Sequence, residues 1–170
     1  MDVSRKPLEF EFERLFREHS QMLYRTAYSL LDNGPDAEDV LQTIFLRLLR
    51  GGLPAGFERN AKGYLYRAAV NLSLDTIRAR KRLHTADLDA STAVADTHSD
   101  AAEETHKRLA EALAELDPEA TQILVLKYVH SYKDADIARV LGTSRGAIAM
   151  RLLRSRSRLK ELMRVLEEKP

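Results

Sequence analysis

The sequence predicts an all-α protein made of two small helical domains joined by a flexible linker. Three observations lead to this prediction. Apolar residues recur at helical spacing in several long stretches, and no stretch shows the alternation of a strand. Gly and Pro clusters separate these stretches. Residues 83–106 hold few large apolar residues, with six acidic and no basic ones, a composition typical of a linker.

Composition excludes several classes of protein. Because the chain of 170 residues contains no cysteine, it has no disulfide framework, no thiolate nucleophile and no cysteine-based zinc site. No run approaches the roughly 18 apolar residues of a membrane span, and the first residues do not resemble a signal peptide. We therefore expect a cytoplasmic protein without membrane insertion and without a cofactor.

The first domain, residues 8–82, is predicted to contain three helices. The first covers about residues 8–31 and ends at Asn33-Gly34-Pro35. The second begins at Pro35, carries acidic residues in its first turn and ends at Gly51-Gly52. The third begins after Asn60, a favourable N-cap, and continues to about Arg82.

The second helix carries an outward stripe that includes an exposed leucine. Such a leucine among charged residues can anchor a partner helix, although exposed leucines also occur without a partner. The stripe consists of Asp39, Gln42, Thr43, Leu46 and Arg50.

The third helix carries cations interleaved with an amide, close to aromatic residues. This pattern suits single-stranded nucleic acid, whose exposed bases can stack on aromatic rings. An ordinary amphipathic helix with core tyrosines is the alternative. The candidate residues are Phe57, Tyr64, Arg67, Asn71, Arg78 and Lys81, with Leu74 on the same side.

The second domain, residues 107–167, ends in a predicted helix-turn-helix. Gly142 suits the left-handed turn after a short helix at about 134–141, and Ser144 suits the cap of the last helix. Between Arg139 and Arg164 eight basic residues face a single acid, whereas a solvated face usually alternates signs. We expect DNA contacts from Ser144, Arg145, Gly146, Ala149, Met150, Arg151, Leu153, Arg154 and Arg158.

The order of these motifs resembles the extracytoplasmic-function (ECF) sigma factors of bacterial RNA polymerase. Residues 36–45 (DAEDVLQTIF) look like the region 2 helix that docks on the polymerase. Residues 64–71 (YLYRAAVN), with the basic run to Arg82, look like the promoter-melting helix, and residues 116–158 look like region 4. No single motif is decisive, but three in this order at this spacing are.

The resemblance implies a non-enzymatic transcription initiation factor whose partners are core RNA polymerase and promoter DNA, and it admits an anti-sigma factor. Region 2 would capture and melt the −10 element, and region 4 would read the −35 element. Ala149 and Met150 depart from the family, which usually has a basic and a small polar residue there. Ser131 replaces a usual glycine, and Lys133 stands where a serine often caps, so Asp134 is expected to cap instead.

Other classes of function fit fewer residues. Enzymes are disfavoured because the histidines are scattered, and His98, Asp100, Glu103 and His106 would form a metal site only within the linker. A stand-alone helix-turn-helix regulator leaves the first 82 residues without a role. A module that only holds other proteins would not bind polyanions at low salt.

Overall fold

The computed structural model describes residues 5–90 and 101–168 as α-helices and one short 3₁₀ helix, Phe57–Arg59. No strand occurs in these ranges, which confirms the all-α prediction. Within the same ranges, no helix is long and apolar enough to cross a membrane. The α-helices are α1 Arg5–Leu31, α2 Gly34–Gly51, α3 Ala61–Ala90, α4 Ala101–Glu115, α5 Pro118–Tyr128, α6 Asp134–Leu141 and α7 Arg145–Glu167.

The first three helices form a bundle, and asparagine caps fix the starts of α2 and α3. Asn33 accepts a hydrogen bond from the Asp36 amide at 2.9 Å, and Asn60 accepts one from the Gly63 amide at 3.0 Å. Helix α1 packs against both α2 and α3. Because their apolar stripes face inward, the fully buried side chains include Leu23, Leu30 and Leu65.

The last four helices form the helix-turn-helix half. Ser144 caps α7 through the Ala147 amide, and Gly142 makes the turn in the left-handed conformation, with φ of 70°. Helix α7 packs against α4, α5 and α6. Ile148 and Leu152 are buried there, as their spacing predicts.

Helices extend into the segment that composition assigns to the linker. Helix α3 continues to Ala90 and α4 begins at Ala101, so both helices run into the predicted linker 83–106, of which residues 91–100 lie outside the described residues. Alanine favours helix, and the acidic residues Glu103 and Glu104 suit the first turn of α4. Residues 83–86 are helical and exposed. The low apolar content of this segment therefore shows that it is not buried, and it does not show that the helix has ended.

The two halves are packed against each other through α3. This helix contacts α4, α5 and α6, and the buried apolar side chains form one cluster that includes residues of both halves. The residues that position the candidate DNA-binding surfaces therefore share a single core.

Candidate nucleic-acid and polymerase interfaces

The α7 face is the outward side of the last helix together with its cap, and it is open to solvent. Met150 is 52 % exposed and Leu153 is 61 % exposed, although both are large and apolar. Only Arg151 is partly buried. The α7 face consists of the residues expected from the sequence: Ser144, Arg145, Gly146, Ala149, Met150, Arg151, Leu153, Arg154 and Arg158.

The cations of the α7 face differ in their partners. Arg151 pairs with Glu119 of α5, and Arg158 binds Glu161 at 2.9 Å. Arg145 and Arg154 have no hydrogen bond or ion pair with any described residue. Arg154, like Arg145, is therefore a strong donor on this face that makes no ion pair with a described acid.

Two departures from the family pattern, Ser131 and Lys133, lie in the turn before α6. Ser131 has a φ of 57°, a left-handed conformation that favours glycine. Lys133 occupies the N-cap position without a side-chain bond. The expectation that Asp134 caps α6 is wrong, because its carboxylate accepts a hydrogen bond from Lys127 Nζ at 2.7 Å, which lowers the pKa of Asp134.

The α2 face is the outward stripe of the second helix, and four of its five residues have the exposure that the sequence predicts. Asp39, Gln42, Leu46 and Arg50 are exposed and Thr43 is partly buried. Two apolar side chains beside this stripe were missed by sequence reasoning. Leu49 is 56 % exposed, and Phe16 of α1 is 48 % exposed, edge-on to Phe45 at a centroid distance of 5.0 Å.

Phe16 was missed because its spacing along α1 also fits the core stripe, from which the structure turns it outward. Leu49 follows the buried Leu48 directly, and the turn of about 100° between successive helical residues carries its side chain out of the core. The sequence signal that could have found Leu49 is its position three residues after Leu46, on the same helical surface.

The start of the third helix departs from expectation at one aromatic residue. Phe57 is 4 % exposed, so the expectation that it stacks on a DNA base is wrong for this conformation; it packs edge-on against Tyr64 at 5.3 Å. Tyr64 itself is 37 % exposed. Arg67 is partly buried and makes no hydrogen bond or ion pair within the described ranges.

The α3 face is the line formed by Asn71, Leu74, Arg78 and Lys81, and the other half of the chain occupies it. Arg78 donates to the Ala114 carbonyl oxygen from Nε at 3.1 Å and from Nη2 at 2.9 Å. Lys81 Nζ donates to Glu115 at 2.8 Å.

Two further residues of the α3 face complete this contact. Asn71 accepts a hydrogen bond from the Gln122 side chain at 3.4 Å. Leu74 is fully buried, so the expectation that it faces outward is wrong. It lies between Asn71 and Arg78 on the same helical line, and therefore beneath the docked half.

The metal alternative has no support in the described ranges, where no group of three possible ligands lies close together. His98 and Asp100 lie outside the described residues. His106 instead contacts the Ser29 carbonyl oxygen at 3.2 Å and Asp32 at 3.8 Å.

The fold and its surfaces therefore define a helical DNA-binding protein with a helix-turn-helix and a second cationic helix. Comparison with known families gives its class. Residues 15–83 match the family model of sigma-70 region 2, and residues 106–159 match that of sigma-70 region 4.

Similar proteins agree with these family matches. The ECF RNA polymerase sigma factor SigM of Mycobacterium tuberculosis is 34 % identical over 154 residues, covering 91 % of this chain and 78 % of the relative. The RNA polymerase sigma factor CarQ of Myxococcus xanthus is 27 % identical over 98 % of this chain and 97 % of its own. The chain belongs to the ECF sigma factors, which are transcription initiation factors.

Solved structures show the same fold. CnrH, solved in complex with the cytosolic domain of CnrY, matches with a TM-score of 0.54 and 23 % identity over 92 % of this chain and 90 % of that one. The sigma factor RpoE, solved with the anti-sigma factor NepR from Bartonella quintana, matches with a TM-score of 0.50 and 24 % identity over 91 % and 98 %.

Proposed function

We propose that this sigma factor divides its work among three surfaces: the α2 face binds core RNA polymerase, α3 captures and melts the −10 element, and the α7 face reads the −35 element. The observation that carries the proposal is that each surface has a different chemistry. An apolar patch lies among charges on α2, cations line α3, and α7 presents bare cations beside exposed apolar residues.

The α2 face has the character of a protein interface. Leu46 and Leu49 are about half exposed and lie next to each other on the helix surface, with Phe16 nearby on α1. Exposed apolar groups in a polar rim mark contacts with another protein. Asp39 and Arg50 would then orient the docked helix through charge.

The region around α3 suits a melted strand. Tyr64 offers a ring for stacking, and Arg67, Arg78 and Lys81 can follow phosphates. Unstacking a base costs a few kcal/mol, which contacts with the extruded base would offset. Phe57 supports the Tyr64 ring from beneath rather than meeting DNA itself.

The α7 face suits the major groove of duplex DNA. The helix is fixed by its buried side, so its outward residues can enter the groove as a unit. Met150 and Leu153 can meet thymine methyl groups, and Arg154 can bind a guanine edge. In this role the protein makes and breaks no covalent bond, acts in the cytoplasm, and takes promoter DNA and core polymerase as partners.

An anti-sigma factor is a further proposed partner. The fold is shared with a sigma factor that was solved in complex with one. Such a partner would bind this chain while it is separate from the polymerase.

The test of the polymerase surface is the double variant Asp39→Arg and Leu46→Glu. Because both side chains are exposed, each change should cost under about 0.5 kcal/mol, so the melting temperature should fall by no more than about 2–4 °C. Binding to core polymerase and run-off transcription on genomic fragments should both be lost. The matched control is Leu83→Glu with Glu103→Arg, which makes similar changes at exposed positions elsewhere. Normal polymerase binding by a folded Asp39/Leu46 variant would refute this assignment.

A further inference from the structure

A cavity with a volume of about 930 Å³ opens between the start of α3 and the segment that leads into α6. Residues 58–62 of the bundle form one wall, and the other wall consists of residues between 130 and 142. Ligand sites in proteins usually measure about 300–1,000 Å³, so this cavity has room for a small organic molecule. Its lining residues belong to none of the three surfaces proposed for polymerase and DNA.

Close contacts hold the two walls of the cavity in place. Asn60 donates from Nδ2 to the Val140 carbonyl oxygen at 2.9 Å, and both residues line the cavity. A Cβ atom at position 63 would collide with the same oxygen, so Gly63 permits this approach. Across the cavity lining, Lys62 Nζ donates to the Tyr132 hydroxyl at 2.7 Å. A ligand would therefore meet a site whose walls are already ordered, which lowers the entropic cost of binding.

Positive charge is in excess around the cavity. Burial and the positive charges of Arg25 and Lys62 keep the pKa of His130 low, so this histidine adds no charge at neutral pH. Arg139 binds Asp136 at 3.1 Å, and the other lining cations make no ion pair within residues 5–90 and 101–168. The lining contains four cations and two acids, namely Arg59, Lys62, Lys133 and Arg139 with Glu58 and Asp136. The cavity therefore favours an anion.

Two lining residues are unfavourable for the fold itself, and both depart from the family pattern. Ser131 has a φ of 57°, a conformation in which a residue with a side chain is strained and glycine is not. Lys133 stands at the N-cap of α6 without a side-chain bond, where its charge opposes the positive end of the helix. An anion in the cavity would give both residues a function, because it could accept a hydrogen bond from the Ser131 hydroxyl and offset the charge of Lys133.

We propose that this cavity binds a small organic phosphate, whose phosphate groups lie between Arg59 of the bundle and Lys133 of the helix-turn-helix half. A guanidinium matches the geometry of phosphate oxygens, and an ammonium adds a compact charge. Because each half supplies one cation, the ligand would bind the packed chain and stabilise it by mass action. The inference does not depend on the roles proposed for the α2, α3 and α7 surfaces, and it would link the state of the chain to the supply of a metabolite.

The test is calorimetric titration of the full chain in about 0.1 M salt, which screens weak surface attraction. The probes are ADP, glucose 6-phosphate and inorganic pyrophosphate, with adenosine as the uncharged control. At least one organic phosphate should bind with a Kd below about 1 mM, and adenosine should not bind. The bound phosphate should also raise the melting temperature of the chain. Failure of both organic phosphates to bind, or binding of pyrophosphate alone, would overturn the proposal.

Two substitutions locate the bound phosphate. Arg59→Gln and Lys133→Ser should each weaken binding about tenfold, the loss expected for one hydrogen bond between charged groups. Arg59 is exposed, and serine is a favourable N-cap, so neither change should unfold the chain. The matched control is Lys107→Gln with Lys160→Gln, which removes two positive charges at exposed positions outside the cavity. Its affinity should change by less than about twofold.

Other outcomes would contradict the proposal in different ways. An equal loss of affinity in the control would mean that net charge, and not the cavity, attracts the phosphate. A loss from only one of the two substitutions would exclude a ligand that bridges the halves. If no organic phosphate binds but Arg59→Gln with Lys133→Ser weakens binding to a random DNA duplex, these cations serve the DNA backbone, and the proposed function still stands.

Ser131→Gly separates ligand binding from stability, because the two should move in opposite directions. Glycine relieves the left-handed strain at position 131, so the melting temperature of the free chain should rise. The same change removes the hydroxyl, so the affinity for the organic phosphate should fall about threefold, as for one neutral hydrogen bond. A more stable chain that binds the phosphate as well as the parent would show that Ser131 makes no contact with the ligand, against the proposal.

Discussion

Acidification should separate the two halves, because the closed form, in which the helix-turn-helix half is packed on α3, holds His130 neutral. His130 follows α5 and lies against α1 and α3, and its Nε2 is 2.8 Å from Thr26 Oγ1. Since the Thr26 hydroxyl donates its hydrogen to the Met22 carbonyl, Nε2–H must be the donor to Thr26. The second proton, which makes the ring a cation, would therefore bind at Nδ1.

The surroundings of His130 disfavour its cation. Burial is the largest cause, followed by the positive charges of Arg25 on α1 and Lys62 on α3, and together they lower the pKa of His130 to about 4. The aromatic rings of Tyr66 and Tyr132 lie edge-on to it at 6.2 and 6.0 Å. In the open form these neighbours separate, and the pKa should return toward the ordinary value of 6.5.

The sign and size of the effect follow from these two pKa values. Because the closed-state pKa is the lower one, the contribution of His130 to closure is complete above about pH 6.5 and falls as the pH drops toward 4. At about pH 5.5 an exposed histidine is about nine-tenths protonated, which corresponds to a loss of up to about 1.4 kcal/mol. Since His130 keeps some exposure to solvent, we expect a loss of about 1 kcal/mol.

The assay is energy transfer between two dyes, recorded from about pH 7.5 to 5.5. Since the chain has no cysteine, the dyes can be placed on cysteines introduced at the exposed positions Gln21 and Lys160. The ratio of closed to open molecules should fall about fivefold, the equivalent of about 1 kcal/mol. His130→Gln retains a donor for Thr26 but does not titrate, so its ratio should change much less over this range. Titration of the His130 ring near pH 6.5 in the closed chain, observed by NMR, would refute the reasoning.

Two further predictions concern the helix-turn-helix half. Arg154→Ala should cost about 1–3 kcal/mol at one base pair of the −35 element and relax preference there, whereas Arg158→Ala should weaken all sequences alike and reduce the salt slope by about one. Binding selections measure both, and an unchanged selected sequence for Arg154→Ala would exclude base reading by it. Ile148→Ala should destabilise the fold by about 2–5 kcal/mol because Ile148 is fully buried. Leu153→Ala should cost under about 0.5 kcal/mol in the same denaturant titration.

Local features of the fold were predictable because their causes are local. The caps at Asn60 and Ser144 and the left-handed Gly142 each depend on a few neighbouring residues. Helix α6 has the predicted bounds for the same reason. The exposure of the α2 and α7 faces follows from helical periodicity, since their opposite sides carry the apolar residues.

The docking of the two halves was not predictable from the sequence, because cations and apolar residues on one helix face fit two kinds of partner. Arg78 and Lys81 indicate a polyanion, but the end of another helix offers similar negative charge. Leu74 was evidence against a polyanion as the partner, because a leucine within a line of cations is better explained by a buried contact. Gly63 could have drawn attention as a glycine inside a helical pattern, a sign of close backbone approach.

The difference in accessibility among the three surfaces implies an order of binding. The α2 and α7 faces are exposed in the closed chain, whereas Arg78 and Lys81 of α3 are engaged. A partner that binds the exposed faces equally well in both forms cannot open the chain, however tightly it binds. Opening therefore requires a partner that favours the separated halves, and a polymerase that holds α2 and the helix-turn-helix half apart would supply that preference. If α3 captures the −10 strand as proposed, that capture would follow polymerase binding.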